Sequence, residues 1–264
     1  MNGPLRRLKS ALHPHVDPIL SRADHWRVRR ELRTLPDGMY RAPVSVPYRA
    51  QYASPGLIHS YIHAGYDGTQ DPNWHAFGAD NPAEYAFWAP RICALACLQM
   101  AIAAYRPASE PPLWQLVKEG LDLRGYTLRD ANGNWIDEGW NYPALVALAA
   151  RYGIRAQGQG YASVLRVCAN IRRGALVMAS VTPELGERVP QPGRYGGHFV
   201  LVLGFAWQRG APLYFELHNP SGRYAELRAH AIIPADRFRA AYAYRLIALS
   251  PLHGPAPDQR LGAR

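Results

Sequence analysis

Between Ile92 and Tyr105 the chain reads ICALACLQMAIAAY, a run without a single charge. Drawn as a helix, it places apolar side chains such as Ile92, Leu95, Leu98, Met100 and Ile102 on nearly every face. A helix that is apolar all round has to be buried. It is shorter than the roughly 18 residues a membrane span requires, and no other apolar run reaches that length, so protein must enclose it. The enclosing material lies downstream. ALVMASVT, GGHFVLVLGFAW, APLYFELHNP and YRLIALS read as strands, and the second is apolar on both faces, as a central strand is. Helices therefore come first and strands second. That order predicts an α+β fold in which the buried helix packs on an antiparallel sheet.

The surrounding elements follow from local signals. PGLIHSYIHA and NPAEYAFW read as short helices, PPLWQLVKEGLDL as a helix with prolines in its first turn, and YPALVALAARYG as a helix ending at Gly153. IRAQGQG reads as a short strand, ASVLRVCANIRRG as a helix ending at Gly174, and PADRFRAAY as a short helix between strands. Asn132–Gly133 signals a turn. Three regions emerge. Residues 1–42 form a basic N-terminal appendage, interrupted early by Pro4, Pro14 and Pro18, with a helix from about Pro18 to Leu32. Residues 43–250 form the main domain, opening with a strand in APVSVPYRAQY and carrying an irregular aromatic-rich insertion at about 53–88. Residues 251–264 form a proline-rich, disordered tail.

Charge narrows the partners only a little. The net charge is +10 and is carried by arginine, with lysine at Lys9 and Lys118 alone. A nucleic-acid role would rest on this charge with no recognised motif behind it, and none is expected. Three cysteines are too few for a disulfide framework. The N-terminus lacks a continuous apolar core and a small-residue cleavage site, which points to a cytoplasmic protein.

Two of the cysteines, Cys93 and Cys97, lie on the buried helix, four residues apart. Cys93 stands in the first turn, after Pro90. The free N–H groups there and the positive end of the helix dipole favour an anion, so a lowered pKa is expected. The same N–H groups can steady a nearby oxyanion. The plain alternative is a buried small apolar residue, the reading given to Cys97. A thiolate needs a base. Of ten histidines, His198 is best placed, at the first residue of the central strand after two glycines. If HFVLVLGF and LYFELHN are hairpin neighbours, the start of one lies beside the end of the other, and Asn219 comes next to His198. An amide there can orient the imidazole.

With these residues placed, the chain resembles the papain-like cysteine peptidases, and among them the bacteriocin-processing, double-glycine-leader type and its stand-alone relatives. The motifs that carry the resemblance are VPYRAQY, CALACLQM, EGWNYPALVALAARYG, GGHFVLVLGF and LHNPSG, in that order, over roughly residues 44–250. The resemblance implies a papain-like fold and hydrolysis of a peptide or amide bond through an acyl-enzyme, without a cofactor. It assigns Cys93 as nucleophile, His198 as general base and acid, Asn219 as the group orienting the imidazole, and Gln51 as a donor to the oxyanion. The partner implied is a peptide or protein substrate. Two departures stand out. Ala94 follows the nucleophile where the family has glycine, and about 40 residues separate Gln51 from Cys93 where the family has a handful.

Other readings compete. The same fold could be inactive and only bind peptides, or pass the acyl group to an amine. Cys93, Cys97, His198 and His218 could ligate zinc, but structural zinc sites draw cysteine pairs from tight turns rather than an apolar helix. The aromatic residues of the insertion could line a groove or form a satellite core.

Overall fold

The computed structural model describes residues 3–129, 133–190 and 195–252, with side chains from residue 12 onward. The expected tail from residue 253, and the Asn132 half of the expected turn, lie outside the described residues. The chain begins with helices α1 (Gly3–Leu20) and α2 (Arg22–Glu31) and a short strand β1 (Gly38–Arg41). The insertion carries α3 (Ile58–His63) and α4 (Pro82–Trp88) among single 3-10 turns. There follow α5 (Cys93–Tyr105), α6 (Leu113–Asp122), α7 (Tyr142–Arg151), β2 (Ile154–Gly160) and α8 (Val164–Arg172). The second half is β3 (Leu176–Val181), β4 (His198–Gln208), β5 (Ala211–His218), β6 (Ala231–Pro234), α9 (Ala235–Ala241) and β7 (Tyr242–Pro251).

The strands form one antiparallel sheet in the order β2-β7-β3-β4-β5-β6. β4 is long enough to take a second partner past the end of β3. β3 pairs with His198–Val202, and β1 takes Gly204–Trp207. Side chains on β4 alternate between two cores, as the pleat requires. Phe199, Leu201 and Leu203 join α5, α6 and α7 on one face, while Val200 and Val202 join α2, α8 and α9 on the other. This is the α+β arrangement expected, with α5 enclosed against the sheet.

Within α5, every residue from Ala94 to Ala103 is buried. Burial of side chains such as Leu95, Leu98 and Ile102 contributes roughly 1.5–3 kcal/mol each. The segment Pro82–Arg91, which is α4 with the turn after it, and α5 are bent by 87° at a short break, and together they have the length and composition of a broken span. Their burial in the core accounts for that composition, and no single described helix is long and apolar enough to cross a membrane.

Several expectations differ from what the chain does. The N-terminal segment is joined to the body rather than appended. Val28 and Leu32 are fully buried in the core shared with α8. Asp24 accepts from the Ser163 N–H and hydroxyl, both at 2.9 Å, and from Arg166. Pro4 stands in the first turn of α1, where its missing N–H costs nothing, and Pro14 and Pro18 delete single rungs without ending the helix. The strand expected at 42–52 is an extended loop. Pro43 and Pro47 cannot donate to a ladder, so the segment is held by separate bonds: Ala42 N–H to Leu203 O, and His218 to Val46 O.

The insertion packs into the main core rather than forming one of its own. Ile58, Phe77, Tyr85 and Trp88 are buried in continuity with α5. At its centre lies the buried Asp71 carboxylate, which accepts from Ser54 Oγ (2.5 Å), Tyr61 OH (2.6 Å), Tyr85 OH (2.7 Å) and Asn73 N–H (2.9 Å).

Candidate active site

The head of α5 meets the sheet where β4 has lost its neighbour. The β4–β5 ladder begins at Leu201, so the backbone of Phe199 is left to the helix. Its carbonyl accepts from the Cys97 thiol at 3.5 Å, and its N–H donates to the Cys93 sulfur. Residues four apart share a helix face, so the two cysteines bracket the backbone of one residue, Phe199. That residue follows His198 directly, so the head of α5 lies against the start of β4.

His198 is buried at the strand start, and its Nε2 lies 2.9 Å from Asn219 Oδ1. The ladder explains the juxtaposition. Leu201 is opposite His218, so the residues after His218 run back alongside the start of β4. The Ser221 N–H donates to the same Asn219 oxygen at 3.1 Å, and Ser221 Oγ is 3.3 Å from Nε2. A backbone N–H can only donate, so the atom facing it must be the amide oxygen. That fixes the amide orientation, and Nε2 must carry a proton to bond it. The other ring nitrogen, Nδ1, is then the basic one. Asn219 is itself held by its N–H to Arg228 O (2.8 Å) and by Tyr48 OH donating to its carbonyl (3.1 Å).

Gln51 reaches the same region although the insertion separates it from Cys93 in sequence. Its backbone N–H donates to Pro220 O at 3.0 Å, beside Asn219. Its Nε2 donates to Ala89 O at 2.8 Å, just before the turn that opens α5. Its Oε1 is buried without a partner. The insertion leaves and returns at neighbouring points, and Ala53 N–H donates to Tyr85 OH at 3.1 Å.

The electrostatics differ from the expectation for a helix N-terminus. Part of the Cys93 surface remains exposed, yet the packing around it pushes the thiol pKa up to about 11. Burial outweighs the N–H groups of Phe199, Ala94 and Cys93, which act in the opposite direction. His198 moves the other way, down to about 4. Burial is the main cause, the Asn219 bond opposes it, and the Arg223 guanidinium adds repulsion. Arg223 is buried and is balanced by Glu187 at 2.8 Å. The resting pair is a neutral thiol and a neutral imidazole.

The zinc reading finds no set of ligands. Both ring nitrogens of His218 are engaged, Nε2 with Val46 O (2.9 Å) and Nδ1 with the His230 N–H (3.0 Å). Among the described residues there is no group of three or more His, Cys, Asp or Glu side chains that could hold a metal. Sequence reasoning passed over Ser221 and Arg223. Ser221 had a signal in its spacing, since an asparagine side chain commonly accepts from the N–H two residues on. Arg223 had none.

No family model and no curated protein matches the chain. Solved structures do. One is a double-glycine-motif protease from an AMS/PCAT transporter in complex with the leader peptide, at 17% identity and TM-score 0.38, over 60% of this chain and 84% of that one. Another is the peptidase domain of Streptococcus ComA, a bifunctional ABC transporter of a quorum-sensing pathway, at 14% and 0.39, over 61% and 93%. A third is a C39-like peptidase from Bacillus anthracis, at 14% and 0.41, over 61% and 88%. Likenesses this distant carry no argument about chemistry, which rests on the side chains at the site.

Proposed function

We propose that the chain is a cysteine-dependent hydrolase of peptide or amide bonds, a papain-like peptidase working through an acyl-enzyme. The observation that carries this reading is the Ser221–Asn219–His198 arrangement at the start of β4, one residue before Phe199, whose backbone bonds the cysteines at the head of α5. It gives the imidazole one defined tautomer, with the basic nitrogen left for a proton from sulfur.

The pKa values govern how the first step runs. Moving the thiol proton to His198 in the resting site spans seven pKa units, on the order of 10 kcal/mol before the new charges attract one another. A standing ion pair is therefore not favoured. The proton leaves Sγ for Nδ1 as the sulfur–carbon bond forms, with Asn219 holding the Nε2–H of the imidazolium. The carbonyl oxygen takes up the negative charge, and the donors that would receive it are the Cys93 N–H and the hydrogen of the Gln51 amide not given to Ala89 O. His198 then gives its proton to the leaving amine, and the C–N bond breaks to leave a thioester. Water, deprotonated by His198, attacks the thioester and releases the acid and the thiol.

A peptide library digested by the purified chain and read by mass spectrometry tests the reading. Cleavage that Cys93→Ala and His198→Ala both abolish, with folding unchanged, is the expected result. Peptide binding without cleavage would favour the inactive relative. Products carrying an added amine would favour acyl transfer.

A further inference from the structure

α1 is attached to the body by its polar edge. Asp17 is fully buried and accepts from Tyr195 OH at 2.9 Å and from Arg245 at 3.0 Å, while His13 Nδ1 lies 3.1 Å from its other oxygen. The apolar stripe of the same helix is turned elsewhere. Leu12, Val16, Ile19 and Leu20 fall at i, i+4, i+7 and i+8, and they are 47%, 38%, 58% and 48% exposed. A surface helix ordinarily buries such a stripe and exposes its polar side. Here the polar side is docked and the stripe faces solvent.

α2 continues the pattern. It buries Val28 and leaves Trp26 68% exposed. Arg22, Arg29 and Arg30 surround Trp26 at i−4, i+3 and i+4, and all three are exposed. None has an acidic partner among the described residues, because the nearby acids are engaged with other arginines: Asp17 with Arg245, Asp24 with Arg166, and Glu31 with Arg173. The first 33 residues hold eight Lys and Arg against three Asp and Glu, which is half of the chain's net charge of +10.

We propose that α1 and α2 form a docking surface for an anionic lipid bilayer, with the aliphatic stripe of α1 and Trp26 entering the headgroup boundary and the arginines on lipid phosphates. Aliphatic side chains beside unpaired arginines and an exposed tryptophan are the composition of interfacial helices. The alternatives fit less well. A phosphate backbone would use the arginines but gives four exposed aliphatic side chains nothing to contact. A second copy across a two-fold axis would cover the stripe but set like charges against each other.

The test is co-sedimentation of the full chain with vesicles of phosphatidylcholine alone and of phosphatidylcholine mixed with phosphatidylglycerol. Binding about tenfold or more stronger to the anionic vesicles, and weakened by salt, is expected. Ile19→Ser with Leu20→Ser, and separately Arg29→Ser with Arg30→Ser, should each weaken that binding by about tenfold with unchanged circular dichroism. Failure to bind the anionic vesicles overturns the proposal. So does binding that the serine pair at 19 and 20 leaves intact while duplex DNA competes it away, which would mark a polyanion site. A dimer in sedimentation equilibrium that the same serine pair dissolves would assign the stripe to a second copy instead.

Discussion

Ser221 and His198 share one acceptor: the backbone N–H of the first and Nε2 of the second both bond Asn219 Oδ1, at 3.1 and 2.9 Å. Both donors point at an oxygen, so the site tolerates any residue that offers one in that place. Asn219→Asp keeps the acceptor and adds a negative charge, which favours the imidazolium. The acid limb of kcat/KM reports protonation of the free base. It should lie near pH 4 in the natural chain, where His198 is held at about 4, and should move up by about 1–3 pH units in the aspartate variant. Asn219→Leu offers no acceptor and should lose roughly 10²-fold in kcat. A pH–rate profile of the three proteins decides the matter, and an unmoved acid limb in the aspartate variant would remove Asn219 from contact with the imidazole.

Alkylation of Cys93 should look unlike that of a preformed thiolate. With its thiol at about 11, reaction with iodoacetamide at pH 7 should be roughly two orders of magnitude slower than for a free thiol of pKa ~8.5, and should climb through pH 10. A peptide-borne epoxide, which can take up a proton as sulfur attacks, should react faster in the natural chain than in His198→Ala. Cys97 and Cys168 are buried and should stay unmodified until the chain unfolds. A flat iodoacetamide rate below pH 7, mapped to Cys93, would show a standing thiolate and refute the neutral pair.

The features that proved legible were those set by periodicity and register. An uncharged all-round helix and a two-faced apolar strand fix α5 against β4, and a short hairpin carries Asn219 back to His198. What sequence could not supply was the balance of opposing terms. Cys93 stands at a helix start, which lowers a thiol pKa, but burial in the folded chain raises it by more, and that burial cannot be read from the local sequence. The fate of the insertion was equally hidden. Asp71 looks like any loop aspartate until Ser54, Tyr61 and Tyr85 converge on it. β1 and β6, four residues each, carry too little pattern to be seen, and they exist because β4 and β5 offer them edges.

Stability should fall in mild acid, before the carboxylates titrate. His198 and His218 are both held at about 4 by burial, against an unfolded value of 6.5. The unfolded chain therefore binds more protons between those values, and stability falls with decreasing pH across that window. Each histidine contributes roughly 3 kcal/mol that is intact above pH 6.5 and lost as pH approaches 4. Urea midpoints at pH 7.5, 6, 5 and 4.5 should drop steadily. A midpoint unchanged down to pH 5 would mean that these imidazoles are solvated.

Asp71→Asn tests how the insertion supports Gln51. Burial alone would raise the Asp71 pKa, but the hydroxyls of Ser54, Tyr61 and Tyr85 and the Asn73 N–H together hold it below the usual carboxylate range. An ionised carboxylate only accepts, whereas an asparagine amide must turn its NH₂ toward one of these donors. The mismatch should cost about 1–3 kcal/mol. It should be felt locally, because Tyr85 OH also accepts from the Ala53 N–H, two residues from Gln51. Limited proteolysis should then cut within residues 53–88 faster than in the natural chain, and kcat should fall more than KM rises, since Gln51 is proposed to act on the oxyanion rather than on bound substrate. Faster cleavage with unchanged kcat would confine the network to stability and release Gln51 from dependence on the insertion. Unchanged proteolysis would mean that the four donors do not need a carboxylate at all.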